Sequence, residues 1–115
     1  MHLLILILTH ENVKNRLVRE FAEQGIPGCT IIESTGMANV INNDEDAPMF
    51  GIIRHIMNGE DEKEPNFTLL LAMPDETIPK AKAIIHDICG DLNVPNAGIL
   101  LSLPIDAMEG VGGQK

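Results

Sequence analysis

The sequence predicts an α+β sandwich whose elements run βαββαβ, interrupted by one long insertion between the second and third strands. Three observations predict it. Four short runs have strand character, two longer runs carry apolar residues at helical spacing, and each helical run lies between two strands. The 115-residue chain weighs 12.5 kDa, which suits one compact domain. Its 44% hydrophobic content is enough to bury a core.

The elements follow in order. Leu3–Leu8 is an unbroken aliphatic run, the pattern of a strand buried on both faces. Val13, Leu17, Val18, Phe21 and Ala22 then recur at helical spacing, with Lys14, Arg16, Arg19, Glu20 and Glu23 on the other side. Thr9 or His10 leads into this helix, Glu11 suits its positive end, and Gly25 stops it. Cys29–Thr35 is β-branched and half polar, so it reads as an edge strand. Phe67–Met73 is the third strand. Asp75 is placed to cap a second helix that tolerates Pro79 in its first turn and ends near Gly90. Ile78, Ala81, Ile85, Ile88 and Leu92 mark its buried stripe. The fourth strand, Gly98–Leu103, is closed by Pro104.

This order is the split βαβ, or ferredoxin-like, unit, with the first and third strands central and both helices on one face. Residues 1–106 form the domain and 107–115 a flexible tail. Strand parity then matters. Leu3, Ile5 and Ile7 point one way and Leu4, Leu6 and Leu8 the other; Phe67, Leu69, Leu71 and Met73 alternate with Thr68, Leu70 and Ala72; Ile99, Leu101 and Leu103 alternate with Leu100 and Ser102. Only one set can pack on the helices. The other makes an apolar patch beyond the roughly 300–600 Å² that monomers expose. Covering it with copies of the same chain in a closed symmetric oligomer is the expected remedy, and symmetry alone does not choose between two copies and three.

The insertion, 36–65, is far longer than the roughly two to five residues of a hairpin loop. It holds Met37–Ile41, an acidic stretch Asn42–Asp46, an apolar stretch Pro48–Met57, and a second acidic stretch Glu60–Glu64. Apolar residues on a protruding loop either fold back or serve a partner.

Charge and composition exclude several classes. Seventeen acidic against eight basic side chains give a net charge of −9, so a nucleic-acid partner held by phosphate contacts is not expected. Trp and Tyr are absent and Phe numbers three, which leaves no stacking platform for bases. Cys29 and Cys89 suit neither a metal knuckle nor a disulfide framework. The aliphatic start is too short for a membrane span or a signal-peptide core, so a cytoplasmic location is expected.

Two stretches carry a resemblance. Glu33–Met37 turns at a glycine into the long loop, and Gly90–Leu101, followed by Pro104–Asp106, is a glycine-bearing loop running into the last strand. With the element order over residues 2–106, these resemble the P-II nitrogen-regulatory signalling family. The resemblance implies a non-catalytic homotrimer that binds a small effector, such as an adenine nucleotide, in clefts between subunits. It also implies docking of the long loop on a partner protein, a membrane transporter among the options. Effector contacts would come from Ser34, Thr35, Gly36 and Met37 of one chain and Asn96, Ala97 and Gly98 of a neighbour. Phe50, Ile52, Ile53, Arg54 and Ile56 would meet the partner.

The chain departs from that family where phosphates are held. ATP-binding members carry a lysine before the last strand and arginines after it; here Asn93, Asn96 and Ala97, then Ala107, Met108 and Glu109, stand there. A less anionic effector than ATP, or one accompanied by a metal ion, fits better. No cofactor or metal is assigned by the residues themselves.

Catalytic constellations are sparse. His2, His10, His55 and His86 are scattered, and Ser34 and Thr35 have no motif supplying a base. Cys89 lies between Asp87 and Asp91, an acidic setting that would raise its pKa. A small ferredoxin-like enzyme with a pocket under the insertion, using His10 or His55, is the alternative from another class. A structural assembly module is the third.

Overall fold

A computed structural model describes residues 1–26, 28–37, 66–94 and 97–110. The chain forms β1 (His2–Leu8), α1 (Glu11–Glu23), β2 (Cys29–Ser34), β3 (Asn66–Met73), a 3-10 turn (Asp75–Thr77), α2 (Ile78–Cys89) and β4 (Ile99–Pro104). The four strands make one sheet in the order β2-β3-β1-β4, and every neighbouring pair is antiparallel. The two most aliphatic strands are therefore central and the polar β2 is an edge, as the ferredoxin-like reading requires.

The helices occupy one face. Leu4, Leu6 and Leu8 of β1 and Phe67, Leu69, Leu71 and Met73 of β3 are buried together with Leu17 and Phe21 of α1 and Ala81, Ile84 and Ile85 of α2. Strand parity selects these residues, since alternate side chains leave opposite faces. Ile84 belongs to this core although the stripe expected for α2 omitted it; Ile78, Ile88 and Leu92 pack only partly against it.

Helix ends are built as the sequence suggests at one terminus and differently at another. Gly25, at φ 76°, follows the last turn of α1; Ile26 N–H donates to the Phe21 carbonyl (2.8 Å) and Gly25 N–H to the Ala22 carbonyl (3.2 Å). These two bonds are a Schellman closure, and Ile26, 4% exposed, adds the apolar contact that accompanies it. Asp75 does not cap α2. It opens the 3-10 turn, makes no side-chain cap bond, and turns its carboxylate to the strand β1 instead. Two groups at the start of β1 hold it there: the Met1 ammonium lies 2.9 Å from Oδ1, and His2 Nδ1 lies 2.6 Å from the same oxygen. Pro104 closes β4 as its last residue, opposite His2. An edge strand tolerates proline because its outward N–H has no partner to lose.

Among the described residues, none covers the second sheet face. Register puts Ile7, Thr68, Ile32 and Ile99 in one row across the strands, and Ile5, Leu70, Thr30 and Leu101 in the next. Ile99, Leu101 and Leu103 are 55%, 45% and 46% exposed, and Ile32 is 47% exposed. Leu3, Ile5, Ile7 and Leu70 are half-buried only by these neighbours. The β1 and β4 half of the face is wholly aliphatic, whereas the β2 and β3 half is interrupted by Thr30, Ser34, Asn66 and Thr68.

Candidate functional site

The expected effector residues fall into two groups at one end of the sheet. Ser34 ends β2, and Thr35, Gly36 and Met37 follow it; Ala97 and Gly98 lead into β4. Because β2 and β4 run antiparallel to β3 and β1 respectively, the exit of β2 and the entry of β4 share an end. They also occupy opposite edges. With strands about 4.8 Å apart, three spacings separate the groups by about 14 Å. One chain alone does not bring them together.

The first group is a polar corner on the bare face. Ser34 Oγ and Thr68 Oγ1 are 2.9 Å apart across the β2–β3 pair, which directly opposes Ser34 to Asn66 and Ile32 to Thr68. The Asn66 side-chain nitrogen fills the space beside Gly36, where an added Cβ would stand 2.9 Å from it. Gly36 and the Asn66 side chain are thus close neighbours where the insertion leaves and rejoins the sheet. Thr35 and Met37 are exposed there. Thr68 and Asn66 were not singled out from the sequence, although each is a polar residue on an otherwise aliphatic strand.

The second group is a tight loop. Asn93 N–H donates to Asp91 Oδ1 (2.9 Å), Val94 N–H to the Asp91 carbonyl (3.3 Å), and Ala97 N–H to the Val94 carbonyl (3.2 Å). Gly98 has φ 131°, and a Cβ there would lie 2.9 Å from the Ile7 carbonyl oxygen. Both constraints demand glycine. Asn96, Phe50, Ile52, Ile53, Arg54 and Ile56, with His55 and the rest of 38–65, lie outside the described residues.

Among the described residues the basic side chains are Lys14, Arg16 and Arg19 on α1 and Lys80 and Lys82 on α2. Lys14 Nζ is 4.7 Å from the Phe67 ring centre and 3.9 Å from Glu11 Oε2. Lys80 donates to the Gln24 carbonyl at the far end of the sandwich. The two thiols are poor nucleophiles. Burial pushes the Cys29 thiol up, and burial also pushes Cys89 up, against the opposing pull of the Arg16 charge. The expected acidic cause at Cys89 is therefore replaced by desolvation.

A separate concavity of about 390 Å³ lies between α1 and the start of β2, lined by Val18, Phe21, Ala22, Gly25, Ile26, Gly28 and Cys29. It sits at the opposite end from Ser34 and offers no ionisable group except the Cys29 thiol. Among the described residues no three His, Cys, Asp or Glu side chains converge to hold a metal ion, and no helix is long and apolar enough to cross a membrane.

No family model matches the sequence, and no curated protein matches it. Among solved structures, the chain is similar to a functionally unknown protein from Pediococcus pentosaceus ATCC 25745, at 18% identity and a TM-score of 0.61, over 95% of each chain. At that identity the likeness shows a shared fold: a four-stranded antiparallel sheet carrying two helices on one face.

Proposed function

We propose that the protein is a P-II-like, non-catalytic regulatory trimer that binds a small effector between copies. One observation carries this reading: the two groups of effector residues lie at the same end of the sheet on opposite edges, beside a bare aliphatic face. A ring of copies that buries that face brings the β2 exit of one chain toward the β4 entry of the next. Each contact between copies then completes a pocket from Ser34, Thr35, Gly36 and Met37 on one side and Ala97 and Gly98, with Asn96, on the other.

The pocket abuts the root of the insertion, because Gly36 and Asn66 touch where the insertion leaves and rejoins the sheet. Effector binding at that root shifts the population of insertion conformers, and Phe50, Ile52, Ile53, Arg54 and Ile56 then meet a partner protein. A transporter is the partner class that the P-II resemblance favours. Moving the insertion from mostly hidden to mostly presented requires an effector to discriminate between the states by several kcal/mol. Contacts at the root give it the means.

Complementation between copies tests the shared pocket. Thr35→Trp and Ala97→Trp should each abolish the thermal stabilisation seen in a screen of nucleotides, cyclic dinucleotides and metabolites with and without magnesium. Co-expressed, the two variants should regain part of it, because mixed rings contain pockets with both halves intact. Loss in the mixture equal to loss in each variant would contradict a pocket made by two chains.

A further inference from the structure

Resting on the reading of a ring of copies, we infer that the copies join edge to edge: β2 of one chain pairs antiparallel with β4 of the next, Ser34 opposite the partner's Ile99. Among the described residues these two strands are the ends of the sheet, and neither has a second strand beside it. Hydrogen-bond parity across the sheet decides which backbone groups they offer. Ile105 N–H donates to the Met1 carbonyl (3.0 Å), one step beyond the His2–Pro104 pair, so Ile99, Leu101 and Leu103 turn their N–H and C=O groups to β1. Leu100 and Ser102 turn both groups outward, and Pro104 its carbonyl. The same alternation, carried through β1 and β3, leaves Cys29, Ile31 and Glu33 as the outward residues of β2.

The outward residues of both edges carry their side chains on the helical side. Cys29 and Ile31 are opposite the core residues Leu71 and Leu69, and Leu100 and Ser102 are opposite Leu6 and Leu4. Directly opposed residues of an antiparallel pair share a face. Joining β2 to β4 therefore sets the helices of both copies on one side and both bare faces on the other, so the aliphatic face runs on from copy to copy. Each strand is six residues long, and full overlap sets Glu33 opposite the partner's Leu100, Ile31 opposite the partner's Ser102 and Cys29 opposite the partner's Pro104. The missing proline N–H then falls at the last pair. On the bare face, Ile32, 47% exposed, meets the partner's Leu101, 45% exposed. Continued past the strands, the same register brings Thr35 to the partner's Gly98 and Gly36 to the partner's Ala97, the two halves of the proposed pocket. Pairing unlike edges also leaves no edge free in a closed ring, whereas joining β4 to β4 or β2 to β2 leaves the other edge open.

Disulfide trapping in the full chain tests this. In that register Ile32 and the partner's Leu101 form a non-hydrogen-bonded pair with Cα atoms roughly 4.5 Å apart, within reach of a disulfide. Ile32→Cys combined with Leu101→Cys should, on mild oxidation, give linked species of up to three chain masses on a non-reducing gel, and peptide mapping should place the bond between those two positions. Thr30→Cys with Leu103→Cys, the next matched pair, should link in the same way and serves where the first variant folds poorly. Thr30→Cys with Ile99→Cys, four residues out of register, should stay unlinked. Dimers formed through the introduced cysteine of Ile32→Cys alone or Leu101→Cys alone would overturn the inference, because like edges would then be meeting. A trimer by sedimentation in which neither matched pair links would overturn it too, and would leave the shared pocket to its own complementation test. A single-chain species would overturn both.

Discussion

Ile5 on β1 stands directly across from Leu101 on β4, and both side chains leave the sheet on the side that neither helix covers. Leu101 is 45% exposed in the single chain, and its row continues through Leu70 to Thr30. Such a surface costs roughly 25 cal/mol for each Å² of apolar area left in water, a strong drive for copies to cover it. Leu101→Glu should therefore dissociate the proposed trimer while the sandwich stays folded. Light scattering would report single chains and circular dichroism an unchanged spectrum; an assembly that survives the charge would place the contact elsewhere.

Leu6 shows the opposite face of the same strand. It is fully buried between the helices, so Leu6→Ala should cost about 2–5 kcal/mol of stability, read by urea unfolding. A loss below 1 kcal/mol would mean that the core closes around the cavity far better than such sites ordinarily do.

Gly98 ties the second half of the proposed pocket to β1. At φ 131°, with the Ile7 carbonyl where a side chain would go, Gly98→Ala should destabilise the fold by about 1–3 kcal/mol and displace the 97–98 loop. Urea unfolding reads the first effect, and loss of effector-induced stabilisation the second.

How much of this was legible beforehand depended on which physical signal dominated each element. Aliphatic runs and helical spacing identified both helices and all four strands, and the polarity of Cys29–Ser34 identified an edge. Strand parity showed that one face of β1 would be bare but not which one, because Leu3, Ile5 and Ile7 are as aliphatic as Leu4, Leu6 and Leu8. Asp75 misled because local capping propensity lost to a through-space attraction: the ammonium and imidazole at the start of β1 are far away in sequence. Thr68 and Asn66 escaped notice for a similar reason. Their importance comes from register with Ser34, which only strand pairing reveals.

That Asp75 contact has a pH signature. The Met1 ammonium first, then His2, hydrogen-bond its carboxylate and hold its pKa below the ordinary 3.8. A carboxylate depressed in the folded state contributes stability above 3.8, and loses it as pH falls below that value through the folded pKa. Asp75→Asn should flatten the acid limb of melting temperature against pH in that window and leave the limb near neutrality unchanged.

The thiols should be slow. Burial raises both Cys29 and Cys89, so each should react with a thiol-titrating reagent at pH 7 more slowly than a free cysteine, and at the free rate once unfolded. Arg16→Ala removes the charge that opposes the rise at Cys89 and should slow that residue further.

The mass of the protein in dilute solution bears most directly on the bare sheet face. Sedimentation equilibrium should return a species three times the 12.5 kDa chain mass, stable across the concentration range. A single-chain species with Ile5 and Leu101 in contact with water would contradict the shared pocket and the regulatory reading built on it.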